Sequence, residues 1–141
     1  MSLEGDWYNE LGSKMVLKVQ GNVLAGIYNS AVGPAKGDYV LAGLVYPDQD
    51  GASRTLGFSV IWTNDQTDLG SVTAWSGQWQ KAKGEDEQIV TMWLLTVGTA
   101  ADDDWEAFRT GQDVFTRDKP KSASVKSARK TTSVASLRKK T

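Results

Sequence analysis

Four stretches of the chain set aromatic and hydroxyl side chains at a spacing of two residues. They are Tyr28, Ser30 and Val32; Phe58, Val60 and Trp62; Ser71, Thr73 and Trp75; and Thr91, Trp93 and Leu95. Alternate residues of an extended strand share a face, so each set falls on one side of its strand. A packed core prefers aliphatic side chains, because a buried hydroxyl without a partner costs about 1–3 kcal/mol. Faces that mix tryptophan with hydroxyls are better suited to a small ligand with both flat apolar surface and hydrogen-bonding groups.

Other chemistries are excluded by composition. The chain has no Cys and no His. Disulfides, thiolate and imidazole metal sites, a Ser-His-Asp triad and a Cys-His pair are therefore all ruled out. Paired carboxylates remain. Asp102, Asp103 and Asp104 cluster in what reads as a solvated turn, and Asp113 has no evident carboxylate partner. Acid–base hydrolysis needs two carboxyls facing one bond, so the expectation is a binder with no catalytic residue, no metal and no cofactor.

The elements that must position these residues read as strands. Eight β-rich runs fall at roughly 5–11, 14–20, 23–32, 38–46, 54–64, 71–82, 88–97 and 111–117, separated by Gly, Asn and Asp clusters. Gln20-Gly21-Asn22 is short enough for a tight hairpin. Ala100–Phe108 reads as a helical turn with its aspartates near the N-terminus. No long amphipathic helix intervenes, so successive strands are expected to be antiparallel neighbours. The fold class is all-β, an eight-stranded antiparallel up-and-down barrel, which removes exposed edges. An open sandwich competes. Such a barrel has room for its own side chains or for one small ligand. Ile89, Met92 and Leu94 are expected to face away from the Trp93 set, and Ile61 away from Trp62. An apolar outer face suggests cover by another copy of the chain; a scatter of ordinary surface hydrophobics is the plainer reading.

The 141 residues carry a formal net charge of −1, which hides an asymmetry. Residues 1–117 hold 8 basic and 16 acidic side chains, whereas residues 118–141 hold 8 basic and one acidic. The second segment has no aromatic residue and 8 Ser/Thr. It cannot bury enough apolar surface to offset its ordering entropy. The boundary is set near Pro120, with a body over 1–119 and a flexible basic tail over 120–141. A solvated extension is favoured for the tail over non-specific contact with nucleic-acid phosphates or attraction to its own acidic body. No apolar run approaches the roughly 20 residues of a membrane span, so no membrane partner is expected. The first residues have neither a basic nor an apolar signal region, and the sequence gives no compartment.

Six segments in order resemble the avidin/streptavidin family of biotin-binding proteins, most closely its cysteine-free bacterial members. They are Gly5-Asp6-Trp7-Tyr8-Asn9-Glu10-Leu11-Gly12-Ser13, Gly26-Ile27-Tyr28-Asn29-Ser30-Ala31-Val32-Gly33, Gly57-Phe58-Ser59-Val60-Ile61-Trp62, Thr73-Ala74-Trp75-Ser76-Gly77-Gln78, Met92-Trp93-Leu94-Leu95-Thr96, and Trp105 with Gly111-Gln112-Asp113-Val114-Phe115-Thr116. The resemblance covers nearly all of residues 5–117. It implies tight, non-covalent and non-catalytic binding of biotin in the open end of the barrel. By the same resemblance, Asn9, Ser13 and Tyr28 donate to the ureido oxygen, and Ser30 and Asp113 accept from the ureido N–H groups. Thr73 meets the ring sulfur and Ser71 the valerate carboxylate. Trp62, Trp75 and Trp93 form the wall with Leu95, while Leu11, Val32 and Leu69 complete the set. Trp105 matches a tryptophan lent to a neighbouring subunit's site, Trp7 looks structural at the barrel base, and Trp79 has no ligand role. The implied assembly is a homotetramer, with dimer–tetramer exchange left open by Gln112. A lipocalin-type carrier of another apolar ligand is the alternative, but it would want aliphatic walls and few hydroxyls.

Two positions depart from the family pattern. Pro34 has no N–H where several relatives present one to the biotin carboxylate, so the carboxylate end is expected to be held less tightly than the ring end. Leu69 stands where a smaller residue often lies, which narrows the mouth.

Overall fold

The computed structural model describes residues 2–32, 37–49, 51, 53–63, 70–120 and 131–133. Pro34 and Leu69 lie outside the described residues, as does the tail apart from 131–133.

Eight strands follow one another: β1 (Gly5–Tyr8), β2 (Lys14–Gln20), β3 (Val23–Asn29), β4 (Asp38–Val45), β5 (Ser53–Trp62), β6 (Ser71–Gln80), β7 (Gln88–Val97) and β8 (Phe108–Thr116). Each pairs antiparallel with the next, and β8 returns to β1 through Tyr8 and Thr116. The sheet is therefore a closed eight-stranded up-and-down barrel and not an open sandwich. The β1–β2, β3–β4, β5–β6 and β7–β8 connections gather at one end by the alternation of chain direction. The last of these holds a 3-10 helix, Ala101–Glu106, with Asp102, Asp103 and Asp104 exposed in its first turn.

Period two places the side chains. Met15 and Leu17 on β2, Leu24 and Tyr28 on β3, Tyr39 and Leu41 on β4, and Leu56, Phe58 and Val60 on β5 are buried in one core with Trp7, Trp75, Trp79 and Phe115. Ile61, Met92 and Leu94 face out and are exposed, together with Val40 and Leu44. Ile89 does not join them. It has the same parity as Thr91 and Trp93, and it is fully buried inside the barrel. Gly77 lies on the inner side of β6 where β7 comes so close that a Cβ would collide with the Val90 carbonyl oxygen, a close approach only glycine allows.

The closed end is tied by Arg117. Its guanidinium lies over the Trp7 ring at 3.8 Å and donates to the carbonyls of Ser2, Glu4 and Asp6. It also pairs with Glu87 at 2.6 Å. Trp7 Nε1 in turn donates to the Leu3 carbonyl at 2.8 Å. One side chain thus joins the start of the barrel to its end and to the β6–β7 connection. Arg117→Ala is expected to cost roughly 2 kcal/mol, seen as a fall of about 5–10 °C in thermal midpoint at fixed protein concentration. Arg117→Lys should recover less than half of it, since an ammonium cannot reproduce the planar fork.

A further strand, β9 (Thr131–Ser133), pairs with Arg109–Gly111 of β8. It takes the edge of β8 beyond the point where β1 ends. Nothing in the composition of the tail announces this pairing. Among the described residues no helix is long and apolar enough to cross a membrane, and no cluster of three or more acidic side chains could hold a metal ion.

Candidate functional site

The β1–β2 loop is organised by Asn9. Its Oδ1 accepts the backbone N–H groups of Leu11 at 3.0 Å and Ser13 at 2.9 Å. With the oxygen so engaged, the amide nitrogen must turn inward, where it lies 3.5 Å from Tyr28 Oη and 3.4 Å from Asp113 Oδ1. Ser13 Oγ accepts the Ala31 N–H at 2.9 Å, which leaves its own O–H as a donor. Asn9, Ser13 and Tyr28 are all buried. Burial, and then the nearby Asp113 charge, push the Tyr28 phenol well above its ordinary range. It stays protonated, and so a donor, at any working pH.

Asp113 stands beside these donors, 6% exposed. Its Oδ2 accepts from Trp75 Nε1 at 2.9 Å, while its backbone carbonyl accepts from the Thr91 hydroxyl at 2.8 Å. Burial pushes the carboxyl up to about 7, and Glu10 adds to the rise by repulsion and by hydrogen bonding to the protonated form. The bonds from Trp75 and Asn9 act in the opposite direction. The expectation that Asp113 lacks a carboxylate partner is therefore corrected: Glu10, on the loop next to Asn9, is that partner. The two were far apart in sequence, and only barrel closure brings them together. Glu10 Oε2 accepts the Val114 N–H at 3.0 Å.

Above this polar group lie the aromatics. Trp75 stacks on Phe58, with centroids 5.0 Å apart and planes at 17°, and the Tyr28 ring lies tilted against Trp75 at 5.1 Å. Trp62 meets Tyr28, Tyr39 and Trp75 edge-on. It is pinned by Nε1, which donates to Thr73 Oγ1 at 2.8 Å. In register, Trp75 is opposite Phe58 on one side and Trp93 on the other, and Thr73 is opposite Leu95. Gly111 is opposite Trp93, leaving room for an indole. Trp93 and Leu95 are partly buried on the inner face of β7.

Direct contacts thus bring together Asn9, Ser13, Tyr28, Trp62, Thr73, Trp75 and Asp113. Leu11, Ser30, Val32 and Ser71 are half-buried at the loop end of the barrel. Ser30 donates to the Val32 carbonyl at 2.7 Å and accepts the Val32 N–H at 3.3 Å, so its oxygen keeps one further lone pair for a donor. Trp105 sits apart, exposed on the 3-10 helix. Sequence reasoning assigned no role to Phe58, Tyr39 or Glu10. Period two already put Phe58 on the Trp62 face, whereas nothing local signalled Glu10. Trp79 is buried with its Nε1 unpartnered among the described residues. A depression of about 630 Å³ lined by Leu44, Val45, Tyr46 and Leu56 lies by the β2–β3 and β4–β5 turns, away from these residues.

A closed β-barrel with buried donors, a buried carboxyl and an aromatic lining at one end is the architecture of a small-ligand-binding protein. Comparison with known proteins narrows the class. The Avidin family profile matches residues 1–118. Avidin-related protein 4/5 of Gallus gallus is 34% identical over 122 residues, covering 82% of this chain and 77% of its own. Afifavidin of Afifella pfennigii is 34% identical over 119 residues, covering 82% and 69%. Avidin of Gallus gallus is 32% identical over 123 residues, covering 82% and 78%. The chain belongs to the avidin family, and that membership indicates biotin binding.

Proposed function

We propose that the barrel captures biotin at its loop end, tightly, non-covalently and without altering it chemically. The observation that carries this reading is the convergence of three buried donors, Asn9 Nδ2, Ser13 Oγ and Tyr28 Oη, beside one buried acceptor, Asp113. A cyclic urea has one carbonyl oxygen that takes several hydrogen bonds and two N–H groups that need acceptors. Three donors on that oxygen polarise it towards an oxyanion and strengthen every bond it accepts. Asp113 and Ser30 then receive the N–H groups, and the carboxylate balances positive character left on nitrogen. Trp62, Trp75 and Trp93 exclude water and cover the bicyclic ring, with Thr73 at its sulfur. Ser71 lies where the valerate tail leaves the barrel. The array is preformed, since backbone amides hold Asn9 and Ser13 in place before any ligand arrives, so little is lost to reorganisation. A lipocalin-type carrier of an apolar ligand would have no use for four polar side chains buried among aromatics.

The test is thermal. A ligand that binds only the folded state raises its midpoint in proportion to the logarithm of concentration over Kd. Biotin at a hundredfold excess over Kd should add about 2.7 kcal/mol. An unmoved midpoint would count against the reading.

The exposed outward side chains Val40, Ile61, Met92 and Leu94 favour self-association, with a tetramer as the assembly we propose. In that assembly Trp105, on the 3-10 helix, is the residue we propose to complete a neighbouring subunit's site. Trp105→Lys is expected to speed biotin dissociation by roughly 10-fold or more, the scale of a lost aromatic contact of about 1.5 kcal/mol. Dissociation at an unchanged rate would argue against a shared site.

A further inference from the structure

The seam of the barrel is uneven. β1 meets β8 through one register pair, Tyr8 with Thr116, and ends before the loop-end half of β8. That half carries Asp113, sets Gly111 opposite Trp93 and sets Arg109 opposite Leu95. A strand edge left in this way is a ready template for another strand. The segment seated on it belongs to the same chain: Thr131, Thr132 and Ser133 pair antiparallel with Gly111, Thr110 and Arg109. We propose that the loop-end edge of β8 is a strand-addition site for the chain's own basic tail, and that the added strand completes the barrel wall beside the biotin site and slows the ligand's escape.

Backbone direction fixes how the strand is held. Along an antiparallel strand, alternate residues turn both N–H and C=O to the same side. Val114 gives its N–H to Glu10 on the seam side, whereas the Ala107 carbonyl takes the Val97 N–H on the β7 side. Thr110 shares the direction of Val114 and so faces the seam. Thr110 and Thr132 are therefore the pair that exchanges both backbone bonds. The flanking pairs, Gly111 with Thr131 and Arg109 with Ser133, turn their backbone groups away from each other. Charge brings the two parts together. Residues 1–117 hold 8 basic and 16 acidic side chains, a net of −8, and residues 118–141 hold 8 basic and one acidic, a net of +7. That attraction acts at long range and has no register; the ladder supplies the register. Residues 117–130 separate β8 from β9, and an extended chain of that length reaches on the order of 45 Å. The return from Thr116 to Gly111 is roughly 17 Å, so the same chain spans it without strain.

The effect on escape rests on biotin as the ligand, and the experiment separates the two. Backbone amide exchange without ligand is measured beside the dissociation of biotin, in the full chain and in its Thr132→Pro and Ser133→Pro variants. Thr132→Pro removes the N–H given to Thr110 and leaves every charge in place. Ser133→Pro removes an N–H that points away from β8, where an edge strand tolerates proline, and serves as the matched control. Thr132→Pro should speed exchange of the Thr110 amide and dissociation of biotin, each by about 3- to 10-fold, the scale of one hydrogen bond. Ser133→Pro should leave both close to the unaltered chain. Variants that behave alike overturn the proposal, because charge attraction alone then accounts for the tail. Faster Thr110 exchange with unchanged dissociation overturns the wall role. Protection of Thr110 that falls on dilution assigns the strand to a second copy and overturns the same-chain site. A Thr132-dependent Thr110 amide in a chain that takes up no biotin overturns the biotin reading and leaves the strand addition standing.

Discussion

Asp113→Ala is expected to weaken biotin binding by about 5-fold to 150-fold, the loss of roughly 1–3 kcal/mol that follows when a buried donor is left without its acceptor. The change strands more than the ligand. Trp75 Nε1 and Asn9 Nδ2 both donate to this carboxyl, so alanine leaves two protein groups unsatisfied as well. Asp113→Asn separates the effects, because an amide keeps an acceptor but loses the charge. It should bind more tightly than the alanine variant and less tightly than the unaltered chain. Calorimetric titration of the three proteins checks the order, and equal affinities would remove Asp113 from the site.

The same carboxyl should cost the empty barrel stability. Its folded value is about 7 against an ordinary 3.8. Between these values the folded chain holds a proton that the unfolded chain has lost. Stability contributed by that proton is present at low pH and disappears as pH rises through about 7. Asp113→Asn should thus raise the ligand-free midpoint at pH 8 and change it little at pH 4. A buried charge that weakens the fold and strengthens recognition is a usual trade at a binding site.

Trp75→Ala is the second large effect. Trp75 stacks on Phe58, contacts Tyr28 and Trp62, and donates to Asp113. Truncation opens a cavity in the middle of the aromatic cluster, with an expected cost of about 3–5 kcal/mol. It also removes wall and polar anchor together, so biotin affinity should fall by more than about 100-fold, a change of at least 2.8 kcal/mol. Trp75→Phe keeps much of the packing and loses only the N–H. It should recover most of the stability and a smaller share of the affinity. Denaturation at fixed protein concentration, with titration beside it, reads both. A stable Trp75→Ala variant with unchanged affinity would mean that the lining is elsewhere.

Period two carried much of the architecture. Alternation along β5, β6 and β7 by itself puts Phe58, Trp62, Trp75 and Trp93 on the inner faces, because a half-buried strand must alternate. It also places Ile89 inside by parity; setting it with Met92 and Leu94 followed hydrophobicity where position decides. Residues that meet only by closure were less legible. Glu10 and Asp113 join across the β1–β8 seam, and no local pattern relates positions so far apart. The same is true of Arg117, whose contacts with Ser2, Glu4 and Asp6 exist only because the last strand returns to the first. The donor role of Asn9 was legible by resemblance, but its orientation follows from the two backbone amides on its oxygen.

The central claim is that one buried set of donors and one carboxyl, roofed by tryptophan, grips a cyclic urea in each barrel. Stepwise addition of biotin to the full chain, with tryptophan emission as the signal, tests it most directly. The expected change saturates at one biotin per chain and is lost or shifted to higher concentration in Tyr28→Phe. Emission that never responds, or that responds without a defined stoichiometry, would contradict it.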